Sequence, residues 1–182
     1  MAAPFPRWVN TLTRATLIAA ACTLVGVPVA LMAWVRTPNA TRQYQPVAQP
    51  IAFDHRIHVT GQHIACQYCH FSVERAASAG IPPSTTCVAC HSTVWMKSSA
   101  LSLVRQSVAT GKPLQWNRVN ALPGFVYFNH AIHVNKGVGC ESCHGRIERM
   151  ARVYQFAPLT MSWCVDCHRT LRAPTNCTTC HR

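Results

Sequence analysis

The unit Cys-x-x-Cys-His occurs five times in 182 residues: Cys66, Cys69 and His70; Cys87, Cys90 and His91; Cys140, Cys143 and His144; Cys164, Cys167 and His168; Cys177, Cys180 and His181. It takes ten of the eleven cysteines and half of the ten histidines. Two thiols three residues apart can form thioethers to one edge of a porphyrin. The histidine that follows then comes up beneath the iron as an axial ligand, so the unit reads as a c-type haem attachment site. Zinc sites and thiol–disulfide exchange also use Cys-x-x-Cys, but neither requires a histidine directly after every second cysteine. Five disulfides in an exported domain are the remaining alternative. A bridge within one Cys-x-x-Cys closes a tiny loop and stabilises little.

A second pattern frames the first. Phe53, His55, Ile57, His58 and Val59 recur as Phe128, His130, Ile132, His133 and Val134, an offset of 75 residues, and each copy precedes two attachment units. A fixed offset carrying the same chemistry implies a duplicated two-site module, here 51–97 and 126–169, with a fifth site appended at 174–182. A haem that only carries electrons gains from having both axial positions filled. Outside the attachment units the histidines are His55, His58, His63, His130 and His133. Three-residue spacing on a helical turn puts both imidazoles of a pair on one side, so each pair can reach two different irons. His55, His58, His130 and His133 are therefore expected as distal ligands. The fifth is open at this level: His63 lies three residues before Cys66 and Met161 three residues before Cys164. Met161 also reads as packing against a porphyrin.

Five haems leave fewer than about 30 residues of body for each, too few for independent side-chain cores. The expected fold is a multihaem cytochrome c, mostly coil with short helices packed around five covalent haems, plus one N-terminal transmembrane helix. One amphipathic helix is expected between Ser98 and Ala109, where Leu101, Val104 and Val108 recur at helical spacing, with Ser98 or Ser99 as cap and Gly111 past the end. The stretch that follows, KPLQWNRVNALPGFVYF, reads as an extended connection between the modules.

The run from Ala15 to Val35 is free of charge and long enough to cross a bilayer; Trp8 and Trp34 suit the two interfaces. It exceeds a signal-peptide core and lacks a clean cleavage site. Cys22 reads as a small thiol within that helix, with lipidation the lesser alternative. Residues 1–14 form a cytoplasmic N-terminus, 36–50 a Pro-rich linker and 51–182 the haem domain. Because covalent haem attachment takes place outside the cytoplasm, the haem domain is placed on the extracytoplasmic side. The formal charge of +12, with fourteen arginines among seventeen Lys+Arg, is spread singly among the motifs. Without a basic run or interleaved aromatics it does not read as a nucleic-acid surface.

The FxHxxH units, AGIPPSTTCVACH (79–91), GKPLQWNRVNALPGFVYFNHAIHVNKGVGCESCHG (111–145) and LTMSWCVDCHR (159–169) resemble the pentahaem cytochrome c subunit of alternative complex III. That resemblance covers nearly everything after residue 50. It implies an electron-transfer subunit of a quinol-oxidising respiratory or photosynthetic membrane complex. It also implies neighbours of iron–sulfur/molybdopterin-like, quinol-binding membrane and monohaem cytochrome c type, and a soluble cytochrome or copper-protein acceptor. For the fifth distal ligand it favours Met161 over His63. The competing function class is a self-sufficient, membrane-anchored multihaem quinol dehydrogenase. That class needs a weakly held axial position and an acid or base near the membrane, for which Asp54 is the one candidate.

Overall fold

The computed structural model describes residues 5–182; residues 1–4, the start of the expected cytoplasmic segment, lie outside the described residues. The chain divides into two units, Met1–Arg42 and Gln43–Arg182.

In the first unit, helix α1 runs Arg7–Trp34. It begins eight residues before the expected boundary at Ala15, because Pro6 supplies a fixed φ at the N-cap and nothing between Arg7 and Arg14 interrupts a helix. Arg14 thus lies within α1 and not at its edge. The most apolar 18-residue stretch within Trp8–Trp34 has a mean hydropathy of 2.1, so the helix is long and apolar enough to cross a bilayer. Pro28 lies inside the helix, where it removes one backbone hydrogen bond. At the C-terminal end Arg36 donates from Nη1 to the Met32 carbonyl at 2.6 Å and Thr37 Oγ1 to the Trp34 carbonyl at 2.7 Å. These bonds satisfy carbonyls that the helix leaves open, and the arginine complements its dipole. One short turn, α2 (Pro38–Thr41), interrupts the segment expected as plain linker.

The second unit is built of short helices: α3 (Cys66–Cys69), α4 (Ser84–His91), α5 (Ser102–Thr110), α6 (His130–Asn135), α7 (Glu141–His144), α8 (Met161–Thr170) and α9 (Cys177–Cys180). Among the described residues there is no strand, only an isolated parallel bridge between Gln43 and Gln155. Beside it Tyr44 donates from its backbone to Gln155 at 2.9 Å and Val47 to Val153 at 3.2 Å, tying the start of this unit to its late segment. The amphipathic helix forms as its sequence suggests. Ser98 caps a 3₁₀ turn (Ser99–Leu101) by accepting from Ala100, α5 follows, and Gly111 ends it at φ 68°, the left-handed conformation glycine adopts without strain. Its contact with α4 is polar as well as apolar, with Ser84 and Ser107 hydroxyls 2.7 Å apart and buried.

The side-chain core is small. Among the described residues Val73, Val104, Met150 and Ala157 are the buried apolar side chains. Burial of four such residues is far below what ordering a unit of this size costs in conformational entropy. Side-chain packing therefore offsets only a minor part of that cost.

One close approach is tested directly. Gly145 follows the third attachment unit at φ 67°, and a Cβ there would lie 2.6 Å from Cγ of Phe156. In the first module the equivalent residue is Phe71, so the demand belongs to the second module. Gly145→Ala is expected to destabilise the mature protein by about 2 kcal/mol, read as a fall in thermal midpoint. An unchanged midpoint would show that the Phe156 ring moves away freely.

Candidate metal centre

Each attachment unit is one helical turn. His70 donates from its backbone to Cys66 (2.9 Å), His144 to Cys140 (3.0 Å) and His181 to Cys177 (2.9 Å), while α4 and α8 contain the second and fourth units whole. On a helical turn residues i and i+3 share a face, so both thiols point to one side with the histidine just beyond. All eleven cysteines are free. Among the described residues no three His, Cys, Asp or Glu side chains converge as in a zinc site.

The surplus histidines come to the attachment histidines. His58 faces His91 with ring centroids 6.1 Å apart, His130 faces His144 at 6.3 Å, and His133 faces His168 at 6.1 Å. His55 is near enough to His70 to interact with it electrostatically. Two metal–imidazole bonds of about 2 Å each, with about 1 Å from each nitrogen to its ring centre, require a centroid separation of roughly 6 Å. The three measured pairs have that spacing.

The two copies of FxHxxH are built alike. Phe53 lies edge-on to His55 (4.8 Å, 88°) and stacks on His58 (4.4 Å, 26°); Phe128 lies edge-on to His130 (4.8 Å, 89°) and stacks on His133 (4.5 Å, 30°). Each phenyl thus wedges between two imidazoles. Backbone conformation differs: the second copy is the α-helix α6, capped by Asn129, whereas Arg56–Gly61 forms a wider π-turn.

Ring orientation is fixed through Nδ1. That atom faces a backbone carbonyl in His58 (Asp54, 2.9 Å), His70 (Gly80, 2.8 Å), His91 (Val94, 3.0 Å), His130 (Ala77, 2.8 Å), His133 (Asn129, 2.8 Å), His168 (Pro174, 2.6 Å) and His181 (Phe125, 3.0 Å). A carbonyl only accepts, so Nδ1 carries the proton and Nε2 keeps its lone pair for a metal. His144 is the exception, with Nδ1 3.2 Å from the side-chain amide of Asn120. With the amide turned so that its oxygen accepts, the same tautomer results. His55 keeps a buried Nδ1 without a hydrogen-bond partner. Burial first, and then His70 and His58, lower its pKa to about 4; burial also lowers that of His144. Both rings are neutral at neutral pH, the form that coordinates a metal.

Two comparisons bear on this geometry. Residues 126–182 match the family described as cytochrome c7 and related cytochrome c. Over 127 residues, 69% of this chain, the sequence is 35% identical to a protein of Nitratidesulfovibrio vulgaris named menaquinone reductase, multiheme cytochrome c subunit. The chain spans 59% of that protein's length. This chain is a multihaem cytochrome c.

This cytochrome binds haem c covalently, and the thiols of the Cys-x-x-Cys-His units that would carry it lie near one another between units. Burial pushes up the unreacted thiols of Cys69, Cys87, Cys140, Cys143 and Cys164, with neighbouring thiols adding to the effect at all of these but Cys87. The neighbouring thiol with the largest effect belongs in each case to another unit: Cys87 for Cys69, Cys66 for Cys140, Cys167 for Cys143 and Cys180 for Cys164. The fifth site differs from the rest. No second histidine ring faces His181 among the described residues, and Met161 is an exposed residue opening α8, one turn before Cys164. His63, the alternative, is exposed at φ 54° and faces no other ring among the described contacts.

The carbonyl partners of the histidines were not read from the sequence, because any residue supplies a carbonyl. Asn120 is the exception, being a side chain, yet nothing in its local pattern marks it. Replacing it by aspartate puts a carboxylate behind His144 and makes that ring a stronger donor. Asn120→Asp is expected to lower one reduction potential on the order of tens of millivolts, small against the roughly 0.8 V that axial ligation spans, with the other sites unmoved. A titration identical to the parent's would remove Asn120 from the site.

Proposed function

We propose that the chain is an electron-relay subunit of a quinone-linked membrane complex, with five haems attached at Cys66/Cys69, Cys87/Cys90, Cys140/Cys143, Cys164/Cys167 and Cys177/Cys180. His70, His91, His144, His168 and His181 are the proximal ligands. His55, His58, His130 and His133 are the distal ligands of the first four sites, and Met161 that of the fifth. Bound haem supplies one-electron redox chemistry. The chain's residues hold both axial positions, keep the imidazoles neutral and shield the rings.

The observation that carries this reading is the facing of histidine pairs at 6.1 to 6.3 Å. A site closed by two protein ligands has no position for a substrate, which suits relay and not catalysis. For the fifth site the support is placement: α8 carries Met161 one turn before Cys164, whose thiol adjoins Cys180. A sulfur ligand there raises that site's potential above the bis-histidine sites. Most of the fourteen arginines have no acidic partner among the described residues, where the ion pairs involve Arg56, Arg146, Arg149 and Arg169. Haem propionates are suited to pair with the others.

The self-sufficient dehydrogenase fares worse. Asp54, its one candidate base, is 2.7 Å from Arg56, and the hydrogen bond from that guanidinium holds its carboxyl below the usual range. A carboxylate so held is a poor proton acceptor. We therefore place quinone chemistry in partner subunits, of the kind the alternative complex III resemblance implies, with the haem domain outside the cytoplasmic membrane and a soluble acceptor beyond. The relative's name, menaquinone reductase, favours a second reading in which the same relay runs toward the quinone. The haem path serves either direction; partner potentials decide.

The test is haem quantitation and quinol oxidation on the mature full chain. Five haems per chain are expected, with no reduction by a menaquinol analogue unless the partner subunits are present. Rapid reduction of the isolated chain by the quinol would overturn the relay reading.

A further inference from the structure

The order of the attachment sites in space is written in contacts between segments far apart in sequence. His55 and His58 lie one turn apart and meet His70 and His91 respectively, so one segment clamps the first two sites together. On α6, His130 and His133 meet His144 and His168 and clamp the third and fourth in the same way. The fifth is tethered to the fourth: Cys177 follows His168 by nine residues, and the connection folds back, with Ala173 donating to the His168 carbonyl at 2.7 Å and Pro174 accepting from its ring.

What joins the two clamps is reciprocal. The segment after His70 holds α6 of the other module: His130 and Ala131 donate from the backbone to Ala77 and Ala76 (3.1 and 3.2 Å), and Asn135 donates to Glu74 at 3.1 Å. In return Thr60, on the first FxHxxH turn, donates to the carbonyl of Glu148 at 2.7 Å, just after His144. Each module's distal-histidine segment therefore rests on the loop that follows the other's first attachment site. Cys66 and Cys140, the leading thiols of those two sites, are near enough to interact. Among the described contacts no comparable link runs from the second site, Cys87–His91, to the third, fourth or fifth.

We infer that the five sites lie in the spatial order second, first, third, fourth, fifth, with the first sites of the two modules adjoining at the centre. The path thus departs from chain order, and its two ends are the sites at Cys87–His91 and Cys177–His181. An outside donor and acceptor exchange electrons there. At the first of these ends Val94, Trp95 and Met96 are exposed, and at the other Phe125 is exposed beside His181.

This order rests on the five-haem reading proposed above, and one experiment separates the two. Iron positions in the mature full chain, located by anomalous scattering or in a cryo-EM map, are expected to place the iron at His70 between those at His91 and His144. An iron at His91 lying between those at His70 and His144, which is chain order, overturns the inference and leaves five haems intact. Fewer than five irons overturns the haem count; the order is then still decided by whether the irons at His70 and His144 are neighbours.

Discussion

The second unit depends on imidazole rings paired with their centroids about 6 Å apart, each turned by a hydrogen bond at its far nitrogen. Seven of these Nδ1 atoms meet backbone carbonyls, so ring orientation is set by the course of the main chain and not by other side chains. That choice explains the shape of the polypeptide. Irregular segments expose carbonyls that helices and sheets would consume, and a chain that aims seven histidine rings in this way has use for them. Two phenyl rings, Phe53 and Phe128, complete the arrangement by separating the paired imidazoles on each FxHxxH turn.

Economy follows from the same constraint. A polypeptide with four buried apolar side chains among its described residues cannot stand on its own packing. On the proposed reading the porphyrins supply the apolar mass, and the chain supplies attachment, axial nitrogen and positive charge. Duplication fits this division of labour, because a clamp that fastens two sites is reusable, and two clamps that lean on each other's loops make a longer path with no new device. The departure of site order from chain order is a result of that reciprocal packing.

Much of this was legible in the sequence and some was not. The attachment units, the surplus histidines and the 75-residue offset are short-range patterns whose chemistry fixes their geometry, and the helix ending at Gly111 is announced by its cap and its glycine. α1 starts at Arg7, ahead of the charge-free run at Ala15, because charge marks where a membrane ends, whereas Arg14 is no obstacle to a helix. The π-turn at Arg56–Gly61 has no local signal that separates it from α6. Which iron each histidine reaches could not be read either, since it depends on contacts such as that between Thr60 and Glu148, made by groups any sequence could offer.

The central claim is that four sites are closed by two imidazoles and one by imidazole and thioether. Near-infrared magnetic circular dichroism of the oxidised mature chain, with electron paramagnetic resonance on the same sample, tests it most directly. The account predicts a bis-histidine band of four-haem intensity, a weaker methionine band from one haem, and no high-spin iron. Among the bis-histidine signals, the parallel rings of His130 and His144 (5°) should give a rhombic spectrum and the tilted rings of His58 and His91 (66°) a more axial one. High-spin iron at the sites of His91, His144 or His168 would contradict the ring pairing on which the account rests.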